Sequence, residues 1–140
     1  MLSKKTKYGL KALSFIAKRN SNEPVQTSVI AENENISLKF LESILLTLRK
    51  AGFLSSKKGK GGGYYLLKDA KDIYMTEVIR SLDGPIAMLP CVSLNFYERC
   101  SDCPDEDACV LHELMIDVRD STLNIFNNTS LADLISFFIF

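Results

Sequence analysis

Residues 36–67 read "ISLKFLESILLTLRKAGFLSSKKGKGGGYYLL", and the fold turns on how this stretch is divided. Ser37 can cap a helix that begins immediately after it. Leu38, Leu41, Leu45 and Leu48 recur at helical spacing as a buried stripe, and Gly52 sits where a helix would stop. Beyond it, Phe53 and Leu54, then Tyr64, Tyr65, Leu66 and Leu67, suit two short strands, with the intervening glycines as a hairpin turn. That turn carries Lys57, Lys58 and Lys60. A nucleotide-binding loop would need Gly-Lys-Ser/Thr opening a helix, but three glycines and a strand follow Lys60, which excludes it. The remaining phosphate-binding reading is a basic wing behind a recognition helix.

Upstream, "KKTKYGLKALSFIAKR" (residues 4–19) places Tyr8, Ala12, Phe15 and Ile16 on one helical face, with cations elsewhere. After a loop at residues 20–24, "VQTSVIAENEN" (25–35) suits a short helix with Thr27 or Ser28 as its N-cap. Three helices in this order, the last two joined by a tight polar turn, make a helix-turn-helix. The charge agrees. Through Lys68, 13 Lys and Arg face 4 Asp and Glu, a net of +9. From Asp69 onward the counts reverse to 4 and 13. The overall charge of zero thus hides a basic half of the kind that meets a polyanion, although the two halves could also simply attract one another.

In such a domain the helix starting at Ser37 enters the major groove of double-stranded DNA by its N-terminal end. Lys39 can donate to guanine and Glu42 can accept from cytosine, while Ser37 serves first as the cap. Lys4, Lys5, Lys7, Lys57, Lys58 and Lys60 suit phosphates, which give affinity and salt dependence but not sequence choice. Tyr8, Thr27, Phe40, Gly61 and Gly62 complete the set expected at the DNA.

Downstream, "DIYMTEVIRSLDGP" (72–85) suits a short helix ended by Gly84-Pro85. "ACVLHELMIDVRDSTLNIFNN" (108–128) suits an amphipathic helix of about six turns, with Leu111, Leu114, Val118 and Ile125 approximating a heptad broken at Ser121. Its length argues for a second copy as partner, so that a two-fold homodimer offers two recognition helices to a palindromic site. No stretch approaches the roughly 18 apolar residues of a membrane span. The N-terminus lacks the apolar run of a secretory signal. The apolar tail "LADLISFFIF" (131–140) is short and carries Asp133. A cytoplasmic protein is expected.

All four cysteines and the only histidine fall in "CVSLNFYERCSDCPDEDACVLH", residues 91–112. Cys91, Cys100, Cys103 and Cys109 can hold an iron–sulfur cluster or a tetrahedral zinc, since soft sulfur suits both and spacing does not separate them. Closely spaced thiols can instead form a redox switch without metal, or be structural. Asp102, Asp105, Glu106 and Asp107 are read as favouring the positive N-terminus of the long helix. An enzyme is not indicated, since no Ser–His or Cys–His arrangement exists outside this window.

The stretch 36–67, with "KYGLKAL" (7–13), "TEVIRSLDGP" (76–85), "CVLHELM" (109–115) and "NNTSLADL" (127–134), resembles the Rrf-two family of winged-helix transcription regulators over nearly the whole chain. The resemblance implies a homodimer joined through the long C-terminal helix and bound to pseudo-palindromic promoter DNA. It puts Ser37, Lys39, Glu42 and Lys58 where family members contact DNA. The family often carries Arg where Lys58 stands, and a lysine, being a point charge, is better suited to phosphate. In the cluster-binding branch three cysteines lead into the long helix, and the dimer partner can add a ligand. Cys103 and Cys109 match that spacing, and "CVLH" makes His112 a candidate ligand. Cys91 lies farther upstream than the family's first cysteine, and Cys100 is additional. Resemblance alone favours an iron–sulfur cluster, [2Fe-2S] or [4Fe-4S], over zinc. The expected organisation is mainly α with a small β wing: a winged helix-turn-helix at 1–83, a cysteine-rich sensor loop at 84–107, and a dimerisation helix with tail at 108–140.

Overall fold

The computed structural model describes residues 2–19 and 21–137. It contains α1 (Lys4–Lys18), α2 (Thr27–Glu34), α3 (Leu38–Lys50), β1 (Leu54–Lys57), β2 (Gly63–Leu66), α4 (Met75–Asp83), α5 (His112–Asn127) and α6 (Leu131–Ser136). Single 3-10 turns lie at Ala70–Asp72, Pro90–Val92 and Glu106–Ala108. The mainly helical architecture with one antiparallel two-stranded sheet is the winged helix expected above.

α3 is built much as its sequence suggests. The Ser37 hydroxyl accepts the Phe40 N–H at its start. At its end Gly52, at φ 90°, donates to the Arg49 carbonyl while Phe53 donates to Leu48, the paired bonds of a glycine-terminated helix. Leu41, Ile44, Leu45 and Leu48 are fully buried. Leu38, expected in that stripe, is 46% exposed, because it continues the apolar row one turn past the edge of the core. Phe53 and Leu67 flank the strands instead of lying in them, joined by a bond from Leu67 N–H to Phe53 C=O.

The start of α2 departs from expectation. Thr27 is its first helical residue, and the cap position belongs to Gln26, with no side-chain cap bond. The cause is tertiary. Val25 and Tyr64 exchange both backbone hydrogen bonds, at 2.8 and 2.9 Å, and this bridge holds the chain extended up to Gln26. Gly63 permits the approach. It stands at φ 140°, and a Cβ there would lie 2.2 Å from the Val25 carbonyl oxygen.

α5 is shorter than expected, 16 residues from His112. The chain before it makes a separate 3-10 turn, capped by Asp105 accepting from Asp107 N–H, and then runs extended at Cys109. The acids of the window therefore do not sit on the long helix's first turn, where the acidic residue is Glu113. Ser121 does not interrupt α5.

The core gathers Leu13, Ile30, Leu41, Ile44, Leu45, Leu48, Leu54, Ile73 and Val78 from the first 83 residues, and Leu131 from α6. A short antiparallel bridge secures that last member: Leu131 N–H donates to Ile73 C=O at 2.7 Å and Met75 N–H to Thr129 C=O at 3.0 Å. Beside it, the Thr76 hydroxyl donates to the Asn127 side-chain oxygen. The end of α5 is thus fastened onto the winged helix. Of the apolar tail, residues 138–140 lie outside the described residues.

Candidate functional site

Two regions collect the chemistry. The first is a basic, polar face built by α1, α3 and the wing. α3 buries one side, so Lys39, Glu42 and Ser43 point away from the core and are exposed. Ser43 went unnoticed in the sequence, although it lies four residues after Lys39 and so on the same face; its hydroxyl donates to Phe40 C=O at 2.8 Å. Phe40 stays partly exposed and meets Tyr8 of α1 edge-on, ring centroids 5.7 Å apart. That contact sets the first turns of α1 beside the N-terminus of α3. Lys4 and Lys7 are exposed there, Lys5 is half-buried, and Lys11 extends the exposed row by one turn. Ser37 is exposed at its cap and Thr27 is half-buried at the start of α2.

Lys57, Lys58, Lys60 and Gly61 are exposed at the wing. Gly62 has a different part: it is buried, its N–H donates to Gly59 C=O at 2.9 Å, and a Cβ there would meet the Lys57 carbonyl oxygen at 2.3 Å. Its amide closes the turn. Arg49, at the end of α3, donates from Nη1 to the Ser56 hydroxyl on β1 at 3.1 Å.

The second region is a cavity of about 420 Å³ lined by Cys91, Cys100, Cys103, Cys109 and His112, with Asp102 and Asp105. Cys91 is buried on the Pro90–Val92 turn, and its Sγ lies 3.6 Å from His112 Nδ1 at the first residue of α5. The walls are fastened. Arg119 of α5 donates to Val92 C=O at 2.8 Å, Arg99 donates to the carbonyls of Cys103 and Pro104, and the Tyr97 hydroxyl donates to Glu106. The four cysteines are free thiols. Burial, then the neighbouring Cys100 thiol, pushes Cys91 above its ordinary pKa. Burial also raises Cys103, with the nearby Cys109 and Cys100 thiols adding to it against the Asp105 backbone N–H. Protonated thiols oxidise slowly, whereas a bound cation favours the thiolate. Among the described residues no three of these side chains stand close enough to share a metal ion. Soft sulfur and imidazole around one cavity are nonetheless the donor chemistry that a cluster or zinc takes.

One face of α5 looks outward. Leu111 just before it and Leu114 and Ile125 within it are 45%, 54% and 63% exposed, on the side opposite Leu123, which is buried. No helix among the described residues is long and apolar enough to cross a membrane.

Comparison with known proteins gives a consistent picture. The profile of the Rrf2 family, described as iron-dependent transcriptional regulators, matches residues 2–136. An rrf2-like HTH-type transcriptional regulator of Rhodobacter capsulatus is 41% identical over 139 residues, covering 97% of this chain and 93% of that protein. The HTH-type transcriptional regulator IscR of Escherichia coli is 34% identical over 135 residues, covering 96% of this chain and 80% of IscR. The structure of CymR, the global cysteine regulator of B. subtilis, superposes with a TM-score of 0.79 at 31% identity, covering 98% of this chain and 97% of that one.

Proposed function

Because the chain belongs to the Rrf2 (Rrf-two) family, whose members are DNA-binding transcriptional regulators and not enzymes, we propose that it is a cytoplasmic homodimer that reads a pseudo-palindromic operator and senses redox, iron or nitric-oxide status through an iron–sulfur cluster held by its cysteines. The observation that carries the sensing half is the convergence of all four thiols and His112 on one cavity against the start of α5. Cys91, Cys100, Cys103, Cys109 and His112 are the residues that would hold the cluster. When bound, it would supply a redox-variable charge on sulfur ligands.

The protein's own residues supply the transmission. α5 begins in the cavity wall at His112 and ends on the winged helix through Asn127 and the 129–131 bridge. A change at one end of this helix biases the seating of the other. In a dimer packed through Leu111, Leu114 and Ile125, it also biases the spacing of two α3 helices on DNA. Lys39, Glu42 and Ser43 meet base edges, while Lys4, Lys7, Lys57, Lys58 and Lys60 meet phosphates. The descriptions of the family as iron-dependent and of CymR as a cysteine regulator support regulation by metal or small-molecule status.

The test is anaerobic purification followed by a visible spectrum and iron, sulfide and zinc analysis of one sample, then selection of bound duplexes from a random pool. Brown protein with stoichiometric iron and sulfide and a two-fold symmetric selected site is expected. Colourless protein with one zinc per chain, or with no metal, overturns the cluster and leaves a structural zinc or a thiol- or partner-controlled regulator. Failure to select any duplex overturns operator reading.

A further inference from the structure

The wing and the recognition helix belong to one DNA-binding face, yet only a short connector, residues 51–53, joins α3 to β1. Arg49 holds this connector twice. Its backbone carbonyl accepts the Gly52 N–H at 3.0 Å, and its guanidinium reaches over the turn to donate to the Ser56 hydroxyl at 3.1 Å. Strand alternation explains why Ser56 is within reach: Leu54, two residues earlier on the same side of β1, is 1% exposed against the core. The hydroxyl of Ser56 therefore faces the α3 side of the hairpin, and Lys57 and Lys58 follow it directly into the wing turn. At the other edge of the hairpin, the Tyr64 bridge to Val25 holds β2. The Arg49–Ser56 bond is the side-chain tie on the β1 edge, between the wing and the helix that carries Lys39 and Glu42.

We infer that Arg49 is a positioning residue for DNA binding, setting the angle of the wing against the recognition helix through Ser56. A guanidinium suits this role, since several donors in a rigid fork hold direction where an ammonium would not. The inference rests on the DNA-binding reading of the same face. The alternative for Arg49 is direct contact with a phosphate, and the two differ in what Ser56 does.

The experiment is a double-mutant cycle on the full-length protein, prepared anaerobically. Binding is measured across a salt series against a duplex selected by the wild-type protein, with thermal melting of each variant alongside. Ser56→Ala keeps every cation in place and is expected to weaken binding about fivefold, with no change in salt slope. It should still melt cooperatively, its melting temperature lowered by no more than about 5 °C. Ser56→Thr retains the hydroxyl and should keep wild-type affinity. Arg49→Met should lose about the same factor alone and little more in the Ser56→Ala background. Losses that multiply in the double variant, with the salt slope falling by about one for every Arg49→Met protein, would mean a phosphate contact and overturn the positioning role. So would unchanged binding by Ser56→Ala. If wild-type protein selects no duplex, the DNA-binding reading itself has failed, a result distinct from either.

Discussion

Lys58 and Glu42 are both exposed, but they stand on different elements and would answer to different parts of a duplex. Glu42 projects from the second turn of α3, on the end that the proposed complex turns toward base edges, and as an acceptor it has no favourable contact with phosphate. Glu42→Ala should therefore relax discrimination at one base pair by about 1–3 kcal/mol while leaving non-specific affinity intact or improved. Lys58→Ala should weaken all sequences alike and lower the salt slope by about one. Competition binding against single-base variants of the selected site separates the two patterns. Asp83 makes a different prediction. Burial alone would raise its carboxyl. The Ser3 hydroxyl and backbone N–H, with Thr6, donate to it and hold it below the ordinary range, so that Asp83 at the end of α4 secures the start of α1. A carboxylate depressed in the folded state stabilises fully above its unfolded pKa, and that stability is lost as pH falls through the folded value. Asp83→Asn should lower the melting temperature by about 3 °C at neutral pH. The wild-type and variant curves should converge in acid, and a gap that persists there would refute the assignment.

At the scale of elements, the parts that were legible in the sequence are those whose causes are local. Ser37 caps α3 and Gly52 ends it because both act within a few residues of themselves. The Thr27 cap failed because the start of α2 is decided by a strand 39 positions away, through the Val25–Tyr64 bridge. Leu38 matched the period of the stripe, but periodicity does not say where a core ends. The long helix was overdrawn because apolar spacing continues through Val110 and Leu111, while Asp105 and the extended Cys109 redirect the backbone. The wing glycines were legible as a turn, but not as an anchor. Gly63→Ala should push the hairpin off the α1–α2 loop, since its Cβ would collide with a backbone carbonyl. The expected cost is about 3 kcal/mol in urea unfolding, and a loss below about 0.5 kcal/mol would show that the bridge carries little of the wing's stability.

For the whole molecule, the four cysteines and His112 read in the sequence as candidate ligands, and the structure adds that the His112 ring lies against Cys91, far upstream of it in the chain. That arrangement depends on Arg119 and Arg99 folding the loop back, which spacing alone could not reveal. The outward apolar row on α5 makes a prediction at this scale. Leu114→Glu should leave the monomer's fold intact, since the residue is half exposed, yet shift sedimentation to a single chain and abolish tight binding to a two-fold site. A variant that sediments as wild type would place the dimer contact elsewhere.

The placement of Leu131 bears on how the protein is made. A core residue of the DNA-binding unit comes from the far end of the chain, pinned by the bridge to Ile73. During synthesis the first 83 residues emerge with one wall of their interior missing, and the cysteine segment leaves the ribosome before that wall arrives. A core that takes in Leu131 is complete only after the cysteine segment has been translated, so the winged helix and the cysteine cavity reach their finished form together and not one after the other.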